Sequence, residues 1–156
     1  MKHWVCTTAL ALTVAIAGCG GSDDVEPQKE AFTHISADWG LTDLRETYVV
    51  RDEAQWAKVW SAHEPPMIPP TTRPVVDFVN YQILGLTQGT GPSGCWGLRI
   101  DNVLRQGDRM RVEYVLRTGP VEPSFACTAM AVPLTDFVQV PRTEGEVEFV
   151  KVLSIP

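Results

Sequence analysis

The sequence has few of the residues from which active sites are most often built. It contains three histidines and no Cys-x-x-Cys pair. Its 13 basic residues are outnumbered by 19 acidic ones and form no cluster, which argues against nucleic-acid binding. His34 and His63 lie far apart, and no cysteine or carboxylate stands at the spacing of zinc ligands. We therefore expect no metal, no cofactor and no nucleic-acid partner.

The N-terminal segment carries the most specific signal in the chain. Lys2 precedes an apolar core, Thr7–Ala17, which is shorter than the about 20 residues that span a bilayer and is typical of an export signal. The core ends in Ile16-Ala17-Gly18-Cys19, which resembles the lipobox of bacterial lipoproteins, where the cysteine is acylated after cleavage. An ordinary secretory peptide with an incidental cysteine is the alternative.

We accordingly expect a signal peptide over residues 1–18 and a lipid on Cys19. Residues 20–30 are polar, acidic and without periodicity, which predicts a flexible tether over residues 19–32. Residues 33–156 suffice for one domain with a single core. The expected location is the bacterial cell envelope, with the protein lipid-anchored on the periplasmic side or at the cell surface.

Two cysteines remain after processing. Cys6 leaves with the signal and Cys19 is acylated, so Cys95 and Cys127 form an even pair in an oxidising compartment, and a disulfide is expected. The alternative is a nucleophilic or redox-active Cys95, with His34 or His63 as base.

A single amphipathic helix is predicted from Glu53 to His63. Asp52 and Gln55 form a capping-box-like start. The apolar face combines helical spacing with two tryptophans, and its residues are Trp56, Val59, Trp60 and His63. This face is expected to be core, and a ligand-stacking platform is the alternative. His63 is expected at the helix end, where the macrodipole favours a positive charge.

The remaining pattern is that of strands around a glycine-rich loop. The chain is organised around residues 75–100, where two apolar runs, Tyr81–Thr87 and Gly97–Asn102, flank that loop. The other predicted strands are Glu46–Arg51, a hairpin over residues 98–117 turning at Gln106–Asp108, Ala129–Val132 and Phe137–Val140 broken at Pro133, and Glu146–Leu153 with a bulge between Phe149 and Val150. The first strand of the hairpin is expected to place Leu98, Ile100 and Leu104 on its apolar face. The predicted fold is mainly β (α+β), an antiparallel sheet or barrel-like sandwich with one helix.

The glycine-rich loop formally matches two functional motifs. Its glycines Gly89, Gly91 and Gly94 fit G-x-G-x-x-G, but the next segment alternates like a strand, whereas a dinucleotide site needs a helix there. Ser93 lacks the final glycine and the following helix of a nucleophile elbow. Both patterns are therefore weak.

Asp77 stands between Val76 and Phe78, ahead of the central apolar run. An unpaired carboxylate in such a place is costly to bury. We expect it to accept backbone hydrogen bonds from a nearby turn, which lowers its pKa. The alternative, a general acid or base, usually needs a second titratable group within reach.

Four short features recur together along residues 45–142: a tryptophan-bearing helix, an acidic residue before a strand, a Gly/Pro/Ser loop and a proline-containing final stretch. They are Trp56 with Trp60 and His63, Val76-Asp77-Phe78, Thr90-Gly-Pro-Ser-Gly94, and Val132-Pro133 followed by Val138-Gln-Val-Pro141-Arg142. In this combination the chain resembles the C-terminal domain of the PrcB-like protease-complex-subunit family. The family loop has a second glycine where this chain has Cys95.

The resemblance implies an exported lipoprotein that supports a partner protease and brings no catalytic residues with it. We therefore expect a lipid-anchored accessory protein that binds or stabilises another exported protein without catalysis. Two alternatives stay open: a small exported hydrolase using Cys95 or Ser93 with His63, and a small-ligand-binding domain that uses Trp56, Trp60 or Trp96.

Overall fold

The computed structural model describes residues 26–64, 70–120, 122 and 124–153. Within them the chain forms one helix and eight strands. In chain order these are β1 (Gln28–Lys29), β2 (Thr33–His34), β3 (Arg45–Val50), α1 (Glu53–His63), β4 (Tyr81–Gly91), β5 (Trp96–Gln106), β6 (Arg109–Thr118), β7 (Val132–Pro141) and β8 (Val147–Lys151). The predicted signal peptide and Cys19 lie outside the described residues.

The strands form two four-stranded sheets that pack face to face. The first sheet has the order β1-β5-β6-β8 and the second has the order β2-β7-β4-β3. Every pairing is antiparallel except that of β6 with β8, which is parallel. The mainly-β class with one helix is confirmed, as a sandwich rather than a barrel.

Apolar side chains form two separate cores. The core between the sheets holds Leu84, Leu86, Ile100, Val103, Met110, Val112, Val138 and Val140. The core between the second sheet and α1 holds Ile35, Val50, Trp56, Trp60, Val76, Ile83 and Phe137. Because side chains alternate along a strand, β4 serves both cores, which explains its continuous apolar run. The molecule thus has three layers, with β4 in the middle one.

Helix α1 begins and ends at the predicted residues. Asp52 is the N-cap, and its Oδ1 accepts the Gln55 N–H at 2.8 Å. The Gln55 side chain accepts from the N–H of Arg51 at 3.3 Å, one residue earlier than in a capping box. Glu64 is already extended, with ψ of 133°, because Pro65 follows it.

The sandwich has two ends, which we name by the position of β1. The proximal end holds the start of β1, the turn 78–80, the β5–β6 turn 107–108 and the segment 142–146. The distal end holds the β4–β5 loop and the disulfide. The eleven residues of β4 run between them. At about 3.3 Å per residue, the ends are about 33 Å apart.

Polar groups close the proximal end. The Arg51 guanidinium donates to Gln82 Oε1 at 3.1 Å and to the carbonyls of Thr143 and Gly145 at 3.0 and 2.9 Å. The Arg142 guanidinium donates to the carbonyls of Phe78 and Arg51. These two guanidinium groups satisfy carbonyls where several chain segments end, so the proximal end is tightly connected.

The strand predictions were wrong in three places. A bulge between Ile100 and Asn102 shifts the register of β5, so Val103 rather than Leu104 is fully buried. No bulge occurs in β8, which pairs regularly with β6 from Val147 to Lys151.

The third error concerns Pro133, which does not break β7. Phe137 accepts from the N–H of Ile35, so by alternation Pro133 faces the same side of β7. Along that side β2 pairs only with Val138 and Gln139. A proline is tolerated there because no partner strand needs its missing N–H.

Part of the predicted tether belongs to the sheet. Gln28 and Lys29 pair with Arg105 and Leu104 of β5, and Glu30 forms an ion pair with Arg105. Phe32 packs against the core between the sheets. From Gln28 onward, therefore, the segment predicted to be a flexible tether over residues 19–32 is held by pairing and packing.

Candidate functional site

The expected disulfide is present. Cys95 and Cys127 are bonded, with an S–S distance of 1.98 Å and Cα atoms 5.3 Å apart. A disulfide sulfur is not a free thiolate, so Cys95 in this state is no nucleophile. The bond ties the β4–β5 loop to the segment 124–131. The Gly94 N–H of this loop also donates to the Thr128 carbonyl of that segment at 3.0 Å.

Close packing and backbone conformation account for the glycines of the glycine-rich loop. Gly89 has a φ of +82°, which favours glycine. A Cβ on Gly91 would lie 2.6 Å from Cβ of Trp96, and one on Gly94 would collide with the Thr128 hydroxyl. The loop leads into strand β5 instead of a helix. The arrangement needed for a dinucleotide pyrophosphate is therefore absent at this loop.

Ser93 and His63 are not brought together. His63 contacts Tyr48, which is opposite Gly85 in the middle of β4. Ser93 follows the distal end of β4, and the six steps along the strand from Gly85 to Gly91 span about 20 Å at 3.3 Å per residue. A base at that distance cannot activate a hydroxyl, because proton transfer needs hydrogen-bond contact.

The tryptophans of α1 are core residues, as predicted. Trp56 is 0% exposed, and its indole N–H donates to the carbonyl of Pro74 at 3.1 Å. Trp60 is buried beside it and packs edge-to-face on Trp39, with ring centroids 5.4 Å apart. Neither ring offers an open face for a stacked ligand.

His63 is in the last turn of α1 as predicted, but the macrodipole is not what holds it. The ring is buried beside Phe137 and Tyr48, and burial lowers its pKa, against a smaller opposing effect of Glu46. Lowering the pKa favours neutral imidazole, whereas a helix C-terminus would favour the cation. Packing, not charge, therefore places this histidine.

A hydrogen-bonded relay runs from Glu46 through Tyr48 to His63. The Tyr48 hydroxyl donates to Glu46 Oε2 at 2.9 Å and lies 3.0 Å from His63 Nε2. Since the hydroxyl proton is committed to Glu46, Nε2–H donates to Tyr48. Nδ1 then carries a lone pair, which has no partner among the described residues. Burial and the Glu46 hydrogen bond raise the pKa of Tyr48. The Tyr48 hydroxyl and the His63 imidazole are therefore both favoured in their neutral forms.

A further histidine, His34, contacts the carboxylate of Asp136, and no sequence pattern predicted this contact. His34 Nδ1 lies 3.2 Å from Asp136 Oδ1, and Asp136 Oδ2 accepts the N–H of Ile100 at 2.7 Å. The carboxylate thus orients the ring and caps an open backbone group of β5. The two residues are 102 positions apart, so no local pattern signalled their contact.

The His34 pair lies in a shallow depression of about 560 Å³, which also includes Ser36 and Thr71. An oriented imidazole can act as a general base. No hydroxyl among the described residues is hydrogen-bonded to His34, so the contact between nucleophile and base is missing. Asp136 therefore connects the two sheets through the Ile100 N–H, and its contact with His34 forms no catalytic constellation.

Asp77 has the predicted structural role. Its Oδ1 accepts the N–H of Val79 at 3.0 Å, and its Oδ2 accepts from the Asn80 side chain at 2.7 Å. The Tyr81 N–H donates to its carbonyl at 2.9 Å. The hydrogen bonds to the carboxylate, that of the Asn80 side chain first and that of the Val79 N–H next, lower the pKa of Asp77. The carboxylate shapes the turn from which the chain enters β4.

Exposed apolar side chains gather at both ends of the sandwich. The distal apolar surface consists of Leu41, Leu44, Phe125 and Met130. Thr42 and Thr90 exchange hydrogen bonds at 3.2 and 2.9 Å, and Thr90 pairs with Pro133, so the segments that carry Leu41, Leu44 and Met130 lie at the same end. The disulfide ties the segment of Phe125 to that end as well. The proximal apolar surface consists of Val75, Val79 and Tyr81. Neither surface was predicted, since nothing in a short apolar run distinguishes exposed from buried positions.

Two kinds of site are not found in the part of the chain that the structure describes. No group of three or more His, Cys, Asp and Glu residues there is arranged to hold a metal ion. Nor is there, over those residues, a helix of the length and hydropathy needed to cross a bilayer.

Comparisons with known proteins add no relative to this picture. No family model matches the chain, and neither a curated protein nor a solved structure is significantly similar to it.

Proposed function

We propose that this chain is a lipid-anchored accessory protein of the bacterial cell envelope that binds or stabilises a partner protein, such as an exported protease, without catalysing a reaction. The lipobox at Cys19 supports the anchor. The resemblance to the PrcB-like family supports the accessory role. The bonded state of Cys95 and the separation of Ser93 from His63 favour this role over the hydrolase alternative.

The distal apolar surface is the observation that carries the binding role. Phe125 is 67% exposed and Met130 is 62% exposed, on a segment that the disulfide holds against the β4–β5 loop. Apolar patches on monomeric proteins often mark interaction sites, and aromatic and methionine side chains are enriched at protein interfaces. A rigidly held apolar loop also loses little entropy on binding.

Crosslinking in the native envelope, followed by a pull-down, tests this role. The double variant Phe125→Ser/Met130→Ser is compared with the control Leu153→Ser, whose side chain is 89% exposed and belongs to neither apolar surface. Both proteins should fold, because all three side chains are exposed, and their melting temperatures check this. We expect only the distal variant to lose its crosslinked partner. Retention of the same partner by the distal variant would contradict the assignment of this surface.

The anchor is tested separately by Cys19→Ala. Removing the acylated residue should move the protein from the membrane fraction to the soluble fraction, because the acyl chains on Cys19 are the proposed attachment. A variant that still fractionates with membranes like the parent would show that the lipid on Cys19 is not what holds the protein there.

A further inference from the structure

The first described residues show at which end of the sandwich the N-terminal segment leaves. Glu26 and Pro27 precede β1, and β1 pairs with Arg105, the penultimate residue of β5 at the proximal end. Arg105 also donates to the carbonyl of Pro141, which is opposite Tyr81 at the start of β4. The N-terminal segment therefore leaves the sandwich at the end that carries the proximal apolar surface.

The distance from that exit to the proposed lipid is short. The seven residues 19–25, of which Cys19 would carry the lipid, connect that lipid to Glu26. Fully extended, they reach at most about 25 Å, at 3.3–3.6 Å per residue. That reach is shorter than the about 33 Å between the two ends of the sandwich. A lipid on Cys19 thus excludes the inverted orientation, in which the distal end rests on the membrane and the proximal end stands about 33 Å above it.

The side chains at this end suit a lipid surface. Val75 is 97% exposed and Val79 is 83% exposed, although neither position needs an apolar residue for packing. Tyr81, beside them, combines an apolar ring with a hydroxyl, the combination that is enriched where membrane meets water. The turn that presents Val79 is held by Asp77 and Asn80, so these side chains are displayed on a firm support.

We propose that Val75, Val79 and Tyr81 rest on the membrane surface when Cys19 is acylated, so that the distal apolar surface points away from the bilayer toward a partner. This inference rests on the lipid anchor of the proposed function. The anchor alone does not require this contact, because an anchored domain could still rotate freely above the membrane. The proposal adds that the proximal surface contacts lipid.

The orientation is measurable on lipidated protein in vesicles of phosphatidylethanolamine and phosphatidylglycerol. Val79→Cys carries a fluorophore in one protein, and Leu41→Cys carries the same fluorophore in the matched control at the distal end. Lipids with a quencher on the headgroup or upper acyl chain report contact. We expect quenching at position 79 to exceed quenching at position 41 several-fold. Equal quenching at both positions, or stronger quenching at position 41, would overturn the proposed orientation.

Two controls separate the possible causes. In the Cys19→Ala background both signals should vanish along with vesicle binding, and persistent binding there would refute the anchor rather than the orientation. Without vesicles, the fluorescence at position 79 should not depend on protein concentration. A concentration-dependent change, with no response to quencher lipids, would identify a second copy as the occupant of the proximal surface and overturn the lipid assignment.

Discussion

Gly85 occupies the tightest point of the core between α1 and the second sheet. It pairs with Tyr48 on one side and with Phe137 on the other. The Phe137 ring covers it, so a Cβ added at Gly85 would lie 2.8 Å from Cγ of that ring and closer still to Cδ1. The ring is 0% exposed and cannot retreat freely, because its neighbours are Trp39, Tyr48, Trp56 and His63.

The magnitude for Gly85→Ala follows from two opposing effects. Gly85 does not have a positive φ, so alanine fits the backbone and alone would add about 0.4–1 kcal/mol of stability. Overpacking a dense core costs about 1–3 kcal/mol. The close approach to a confined ring places the cost at the upper end of that range. We therefore expect the free energy of unfolding to fall by about 2 kcal/mol.

Urea unfolding of the disulfide-intact protein, followed by tryptophan fluorescence, measures this change. Gly119→Ala is the matched control, because a Cβ there has no atom within 4 Å, and its stability should be unchanged or slightly higher. Combining Gly85→Ala with Phe137→Leu should cost less than the sum of the single changes, since the smaller side chain leaves room for the new methyl. Parental stability of Gly85→Ala, or strict additivity in the double variant, would refute the reasoning.

Three further predictions concern α1 and the turn before β4. Trp60→Ala should destabilise the protein by about 3–5 kcal/mol, and an unchanged melting temperature would mean that the ring is not core. Asp77→Asn should lower stability at neutral pH with partner binding by the folded protein intact. Since the pKa of Asp77 is lowered on folding, the difference from the parent should shrink as pH falls through that pKa, and a pH-independent difference would contradict it. The lowered pKa of His63 should make the parent lose stability as pH falls below about 6.5, a loss absent from His63→Gln but kept by His34→Gln.

Local signals in the sequence were sufficient for some elements. The boundaries of α1 followed from Asp52 as N-cap and from Pro65 after the last turn, because capping and proline act on the nearest residues. The role of Asp77 was also local, since its partners Val79 and Asn80 are two and three residues away. The disulfide needed only a count of the cysteines outside the predicted signal peptide and lipobox.

Contacts between distant segments could not be predicted from local sequence patterns. The phase of β5 depends on a bulge at Asp101, which exists because β5 pairs with β6 on both sides of it. The tolerance of β7 for Pro133 depends on where β2 ends. Each of these facts is set by the register of a partner strand, and a partner's register cannot be read from one strand's own alternation.

The environment of His63 depends both on local sequence and on contacts between distant segments. Its spacing from Trp56 and Trp60 put it on the buried face of α1, but the sequence suggested a charged residue at a helix end. Its environment instead depends on Gly85, which lets the Phe137 ring lie low over β4 and the helix approach closely. At that depth the imidazole reaches the Tyr48 hydroxyl and loses contact with water. The absent Cβ on β4 thus contributes to the close packing of Phe137 beside His63, and burial in that packing lowers the histidine pKa.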